Sequence, residues 1–183
     1  MASARSLIGR ASDGDQAAWN AIVDRFSGLV WATTRSYRLA DAEAADVTQT
    51  TWLRLVENLD RIHDPDRLGA WLATTARREC LRLIRRSGRE LASDDEWVLD
   101  TPTDDPLDGP LLARERDAAL GRALARIGER CQALLRLVAL ADPPTYEEIG
   151  AALGMPIGAI GPTRARCLDK LRRSPELAGH SSA

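Results

Sequence analysis

Two prolines followed by a capping signature constrain this chain more than any other stretch. Pro143 and Pro144 end whatever helix precedes them, because proline lacks the N–H that a helix interior needs. Thr145 and Glu148 then stand at capping-box spacing, which opens a helix. Tyr146, Ile149, Ala152 and Leu153 fall on one of its faces. Gly154 ends it, as the residue best able to take left-handed backbone. Met155 and Pro156 lead into a second helix, with Ile157, Ile160, Arg164, Leu168 and Leu171 near one face. Thr163, Arg166, Lys170 and Arg173 occupy the other. Two short helices about a glycine turn, the second basic outside, predict a helix-turn-helix. An ordinary helical hairpin with a solvated face is the alternative.

The rest of the chain is read against that element. Its 183 residues suffice for one large or two small domains. With one Phe and two Tyr but abundant Ala, Leu and Arg, helices are favoured over sheets, and the five Trp are left to do the aromatic packing. The net charge of −2 conceals segregation. Ile62–Glu90 holds seven arginines against four acids, and Gly161–Arg173 five basic residues against one acid. Leu91–Ala119 between them has nine acids and two arginines. Two separate basic faces suit a polyanion such as nucleic acid, although either alone could be a solvated helix face. Cys80, Cys131 and Cys167 are odd in number and lack metal-ligand spacing, so reduced, mostly buried thiols are expected. No apolar run is long enough for a signal peptide or a bilayer span, so a cytoplasmic chain without membrane insertion is expected.

In chain order, Met1–Ser12 reads as frayed. Asp13 or Asp15 can cap a helix with Ala18, Trp19, Ile22, Val23 and Phe26 on its stripe, and Gly28 permits a break before Leu29–Arg38. Asp41 caps a third helix whose inward positions are Ala45, Thr48, Trp52, Leu55 and Leu59, opposite Asp46, Gln49, Thr50, Arg54 and Glu57. Asp66 is placed to cap a fourth helix, with Leu68, Trp71, Leu72, Thr75, Ala76 and Leu83 inward. Arg77, Arg78, Arg82, Arg85 and Arg86 share the rest of its circumference, and guanidinium groups pair bidentately with phosphate oxygens. Arg89–Pro110 is acidic and rich in Pro and Gly, and reads as a flexible linker. Leu111–Ile127 and Arg130–Ala141 are helical, and the tail from Ser174 frays.

The order of these features resembles the extracytoplasmic-function (ECF) sigma factors of the bacterial sigma-70 family. Asp41–Leu55, with Asp46-Val47-Thr48-Gln49, is similar to the segment that grips RNA polymerase in that family. Ala70–Cys80 resembles the segment that opens and reads the −10 promoter element, and Tyr146–Ile160 resembles the −35 reader. The likeness extends from about Asp15 to Arg173. It departs at Thr50, where the family commonly has an acid, at Arg78 and Arg82, where Asn and Asp are frequent, and at Gly161-Pro162, where Arg-Ser is expected.

The resemblance implies an all-α protein of two small helical domains joined by an acidic flexible linker, with boundaries at 1–88, 89–110 and 111–183. It implies polymerase contacts at Asp46, Gln49, Thr50 and Leu53. The −10 contacts fall at His63, Asp64, Arg67, Arg77, Arg78, Arg82 and Arg85, and the −35 contacts at Thr163, Arg164, Arg166 and Lys170. The implied partners are core RNA polymerase, promoter DNA and an anti-sigma factor, with no cofactor and no catalytic or metal site. A self-sufficient helix-turn-helix repressor would leave the Asp41–Leu59 helix idle. A nucleic-acid enzyme would need converging acids, a metal set or a nucleophile–base pair, none of which the spacing supplies.

Overall fold

The computed structural model describes residues 4–88 and 111–177. The expected linker, including Asp94, Asp95, Asp104 and Asp105, lies outside the described residues. Within them the fold is all-α, in the order α1 (Ala4–Ser12), α2 (Gln16–Arg35), α3 (Asp41–Asn58), α4 (Leu68–Arg86), α5 (Leu111–Arg126), α6 (Glu129–Val138), α7 (Tyr146–Leu153) and α8 (Ile157–Arg172). Short 3-10 turns stand at Leu59–Arg61, Pro65–Arg67 and Pro175–Leu177.

Several local expectations change. The start of the chain is α1 rather than a frayed end, because Leu7 and Ile8 are buried in the core. Asp15 is the residue that caps α2, accepting from the amides of Ala17 and Ala18 at 2.9 and 3.1 Å. The Arg10 guanidinium, with those amides, holds its carboxyl below the usual carboxylate range. Helix α2 then runs through Gly28 without a break. Burial of Phe26, Leu29 and Val30 on both sides of the glycine outweighs its low helix propensity of about 1 kcal/mol. In α3 the buried positions are Ala44, Val47, Thr51 and Leu55, about one residue out of phase with the expected stripe. Asp41 is inside α3, where Glu43 bonds the Ala40 amide at 2.9 Å. Asp66 does not cap α4. Asp64 instead accepts from the Asp66 amide at 3.3 Å and organises the turn before the helix. The chain beyond Ser174 is also ordered as far as Leu177, with Glu176 paired to Arg126 at 2.7 Å.

The largest cluster of buried apolar residues joins the two halves of the chain. Ile22, Phe26 and Val30 of α2 and Leu72, Ala73 and Ala76 of α4 meet Leu134 and Leu137 of α6, Ile149 and Ala152 of α7, and Met155 and Ile160. Helix α7 lies along α4. Gly69 permits the approach, since a Cβ there would stand 1.7 Å from Glu148 Oε1 and 3.0 Å from the Phe26 ring. The Tyr37 hydroxyl donates to the Ala152 carbonyl at 2.7 Å, satisfying one of the last carbonyls of α7 that has no partner within the helix. Burial pushes the Tyr37 hydroxyl up to about 12, against the opposing charge of Arg77.

The expectation of three reduced thiols fails for two of them. Cys131 of α6 and Cys167 of α8 form a disulfide. They are 36 residues apart in sequence, but the packing of α6 against α8 brings their Cα atoms to 5.3 Å. Cys80 is free and buried, and desolvation raises its thiol to about 12.

Candidate nucleic-acid interface

Three surfaces carry the residues singled out from the sequence. The first is the outer side of α3. Asp46 and Gln49 are exposed, Thr50 is half-buried, and Leu53 is 55% exposed. Leu53 belongs to an open groove lined by Trp19, Trp31, Ala45, Thr48, Gln49, Trp52 and Val56. Trp19 and Trp52 meet edge to face with centroids 6.4 Å apart, and the Arg35 guanidinium stands 5.8 Å from the Trp31 ring. Trp31 and Val56 are 43% and 57% exposed, so this side is an apolar patch with polar residues beside it. Trp52, expected to face inward, packs against the main core and is half-buried, whereas the sequence predicts no surface role for Trp31. The signal for Trp31 was its position beside Val30, which turns it about 100° away from the buried stripe.

The second surface is built on the turn before α4 and on the exposed face of that helix. His63 and Asp64 are exposed in the turn, and Trp71, Thr74, Arg78 and Arg85 follow along one side of α4. An open pocket of about 470 Å3 brings Ile62, His63, Asp64, Arg67, Trp71, Thr74 and Arg78 together. Its far wall is Glu147 and Ala151 of α7. Glu147 accepts from Arg67 Nε at 2.6 Å. Trp71 and Thr74 are not among the residues expected at the site. Trp71, expected to face inward, does pack against the main core but lines the pocket as well. Its ring is only half-buried because α4 turns its Leu72 and Ala76 positions fully inward.

The arginines of α4 do not share one environment. Arg78 and Arg85 are exposed, and Arg85 Nε bonds the Leu81 carbonyl at 3.1 Å. Arg82 is paired with Glu79 at 2.6 Å, a carboxylate that also faces Arg54 at 3.7 Å. Arg77 is half-buried and lies on the α7 side. Its guanidinium occupies the space above Gly154, where a Cβ would meet Nη2 at 2.8 Å. The face that could hold a phosphate chain is thus Arg78, Arg82 and Arg85, with Arg67 and Arg77 engaged by the other half of the molecule.

The third surface is α8. The Thr145 hydroxyl accepts from the Glu148 amide at 3.3 Å, and Glu148 Oε2 accepts from the Thr145 amide at 2.6 Å, so α7 opens with the full capping box. Gly154 takes φ 64°, ψ 36°, and Met155 N bonds the Gly150 carbonyl at 3.0 Å. This is the tight turn between two helices that the sequence predicted. On α8, Arg164, Arg166 and Lys170 are exposed and Thr163 is half-buried, with Arg166 Nη2 donating to Thr163 Oγ1 at 3.2 Å. Pro162 stands inside α8 and the helix continues past it to Arg172. Tyr146 is 43% exposed rather than part of a buried stripe. Among the described residues, no group of three His, Cys, Asp or Glu could hold a metal ion, and no helix is long and apolar enough to cross a membrane.

Residues 22–90, which include α3, the turn and α4, match the sigma-70 region 2 family. The chain belongs to the ECF branch of the sigma-70 family of transcription-initiation factors. It is 27% identical over 165 residues to the ECF RNA polymerase sigma factor RpoE of Cereibacter sphaeroides, covering 87% of each chain. It is 31% identical over 179 residues to the ECF sigma factor SigE of Mycolicibacterium smegmatis, covering 92% of this chain and 66% of that one. Two solved structures share the fold. CnrH, in complex with the cytosolic domain of CnrY, aligns over 97% of this chain and 98% of its own at 23% identity and a TM-score of 0.58. The sigma factor RpoE of Bartonella quintana, in complex with the anti-sigma factor NepR, aligns over 87% of this chain and 98% of its own at 22% identity and a TM-score of 0.61.

Proposed function

We propose that this chain binds core RNA polymerase and directs it to promoters carrying −10 and −35 elements, through the three surfaces described. The outer side of α3 is the docking face. Asp46, Gln49 and Thr50 supply polar contacts, and Leu53, with the tryptophan-lined groove beside it, supplies apolar area. The turn before α4 and the arginine face of α4 take the melted strand. Helix α8 enters the major groove of the −35 duplex with Thr163, Arg164, Arg166 and Lys170.

The observation that carries this reading is the pocket uniting His63, Asp64, Arg67, Trp71, Thr74 and Arg78. An aromatic face beside guanidinium groups suits an unstacked base and the phosphates flanking it, with stacking worth about 1–3 kcal/mol per base. The same pocket is walled by α7, and Arg67 is held by Glu147. Strand entry therefore requires α7 to leave α4, and the packed arrangement is the resting form. Because the sigma factor RpoE of Bartonella quintana, which shares this fold, is seen in complex with the anti-sigma factor NepR, a partner of anti-sigma type that favours the packed form is part of this proposal.

The reading is tested on paired templates, one fully duplex and one with a pre-melted bubble, sharing one −35 element. The double change Arg78→Ala/Arg82→Ala should impair run-off transcription on the duplex more than on the bubble. Arg166→Ala should reduce both alike and relax −35 sequence choice, a bidentate guanine contact being worth about 1–3 kcal/mol of discrimination. Equal losses for the Arg78/Arg82 variant on both templates would remove the melting role from α4.

A further inference from the structure

Helix α8 is poorly suited to stand alone. Its first half contains Gly158, Gly161 and Pro162, each unfavourable in a helix, and Pro162 cannot donate the backbone bond due at its position. Its stability must come from what it is packed against. Only two of its side chains are fully buried, Ile160 in the first half and Cys167 in the second. Ile160 joins the main core, whereas Cys167 belongs to a small separate cluster with Ile127, Cys131 and Leu135. Leu168 and Leu171 are only partly buried at its margin. The second half of α8, which carries Arg166 and Lys170, is therefore fastened at the Cys131–Cys167 bond, with Leu168 and Leu171 packed beside it and the Arg126–Glu176 pair just beyond its end. The bond closes a loop containing all of α7 and the turn.

We propose that this disulfide is a redox-dependent fastening of the reading helix: oxidised, it holds α8 in place for duplex contact, and its two-electron reduction releases that half of the helix. The duplex part of the proposal rests on the function assigned above to α8. The reductant is a small thiol or dithiol. Its thiolate attacks Cys131 Sγ, the S–S bond breaks, and Cys167 leaves as a thiolate that takes up a proton. A second thiolate of the reductant then attacks the mixed disulfide on Cys131. Cys131 is released and takes up the second proton, and the reductant departs as its disulfide. Cys131 is the sulfur attacked because it is 9% exposed against 1% for Cys167, and access decides which sulfur a thiolate reaches. Cys80 takes no part. It is buried in α4 within a different cluster, beside Tyr37, Ala44 and Ile84.

The test uses the full chain, purified without reductant and then treated with dithiothreitol. Alkylation after unfolding should tag one cysteine, Cys80, before reduction and all three after it. Reduction should lower the thermal midpoint by about 10 °C, the size expected for opening a loop of this length in a chain of this size. Hydrogen exchange along 163–172 should quicken at least tenfold, while α3 is unaffected. Duplexes enriched by the protein from a random pool should bind at least tenfold more weakly after reduction. Cys131→Ser/Cys167→Ser should match the reduced protein and ignore dithiothreitol, and Cys80→Ser should behave as the unaltered chain. Three taggable thiols before reduction, or exchange along α8 that is the same in both states, would overturn the proposal. Faster exchange along α8 with no duplex bound in either state would support the fastening and sink the duplex role of the helix.

Discussion

Glu129, the first residue of α6, is 4% exposed and neither of its carboxylate oxygens accepts a hydrogen bond among the described residues. Arg38 Nε lies 3.2 Å away and Arg136 is close, yet burial dominates and raises the carboxyl above its ordinary range. A raised folded-state value means that the stability linked to this group is present at low pH and lost as pH rises through that value. At neutral pH, Glu129→Gln should therefore raise the thermal midpoint by about 2–4 °C, equivalent to about 1 kcal/mol, because Arg38 is exposed enough to turn to water. The gain should shrink as pH falls toward the carboxylate range. Thermal melts of both proteins across that interval check it, and a lower midpoint for the variant at neutral pH would contradict the sign. The same scale explains what the sequence made plain. The turn into α7 and out of it is local, so Thr145, Glu148 and Gly154 could be assigned from their immediate neighbours. The cap of α2 was narrowed only to Asp13 or Asp15, and Asp41 and Asp66 do not cap their helices. Glu129 could not be assigned, since its burial comes from Arg38 and the end of α2. The Cys131–Cys167 pair was equally hidden, because it depends on two helices meeting across 36 residues.

At the scale of the element, the helices were legible and their rotation was less so. Apolar spacing located α3, but Ala and Thr are small enough to read either way. The buried set proved to be Ala44, Val47, Thr51 and Leu55 rather than the neighbouring positions. Helix α1 was missed because Leu7 and Ile8 are too few to announce a period, and their burial is settled by α2. The polar residues of α3 were unaffected by the phase error, and Asp46 and Gln49 do face solvent. If α3 docks on polymerase, Asp46→Ala/Gln49→Ala should weaken core-polymerase binding several-fold while the circular dichroism of the chain is unchanged. Leu53→Ala should weaken it further, since Leu53 stands 55% exposed in the apolar groove and docking would bury that area. Unchanged affinity for both variants in a competition assay would take α3 out of the interface. No loss of folding is expected from any of the three, as none reaches the core.

The whole molecule is held closed by contacts that could not be foreseen from the sequence. Nothing local indicates that α7 lies on α4, that Tyr37 bonds Ala152, or that Gly69 leaves room for Glu148. These are pairings between distant parts of the chain whose residues look ordinary in their own helices. The family pattern foretold two helical domains but not how they would meet. Gly69→Ala should push α7 away from α4, because the added methyl would collide with Glu148, which its capping bonds hold in place. Combined with Tyr37→Phe, which removes a bond worth about 1 kcal/mol, it should enlarge the radius of gyration measured by small-angle scattering. The same variant should bind single-stranded promoter DNA more tightly than the unaltered chain, since Arg67 and the Trp71 pocket are uncovered. An unchanged radius with unchanged strand affinity would mean that closure does not restrain the site.

The most direct test of the central claim is run-off transcription by core RNA polymerase from a pool of promoters, with and without this chain. Core polymerase alone should give no specific start sites. Addition of the chain should yield transcripts from a shared subset of templates with a common −35 and −10 spacing, and removal of the α3 docking residues should abolish them. Transcripts that are the same with and without the chain, or a chain that binds those duplexes tightly yet blocks initiation, would contradict an initiation factor and favour a repressor.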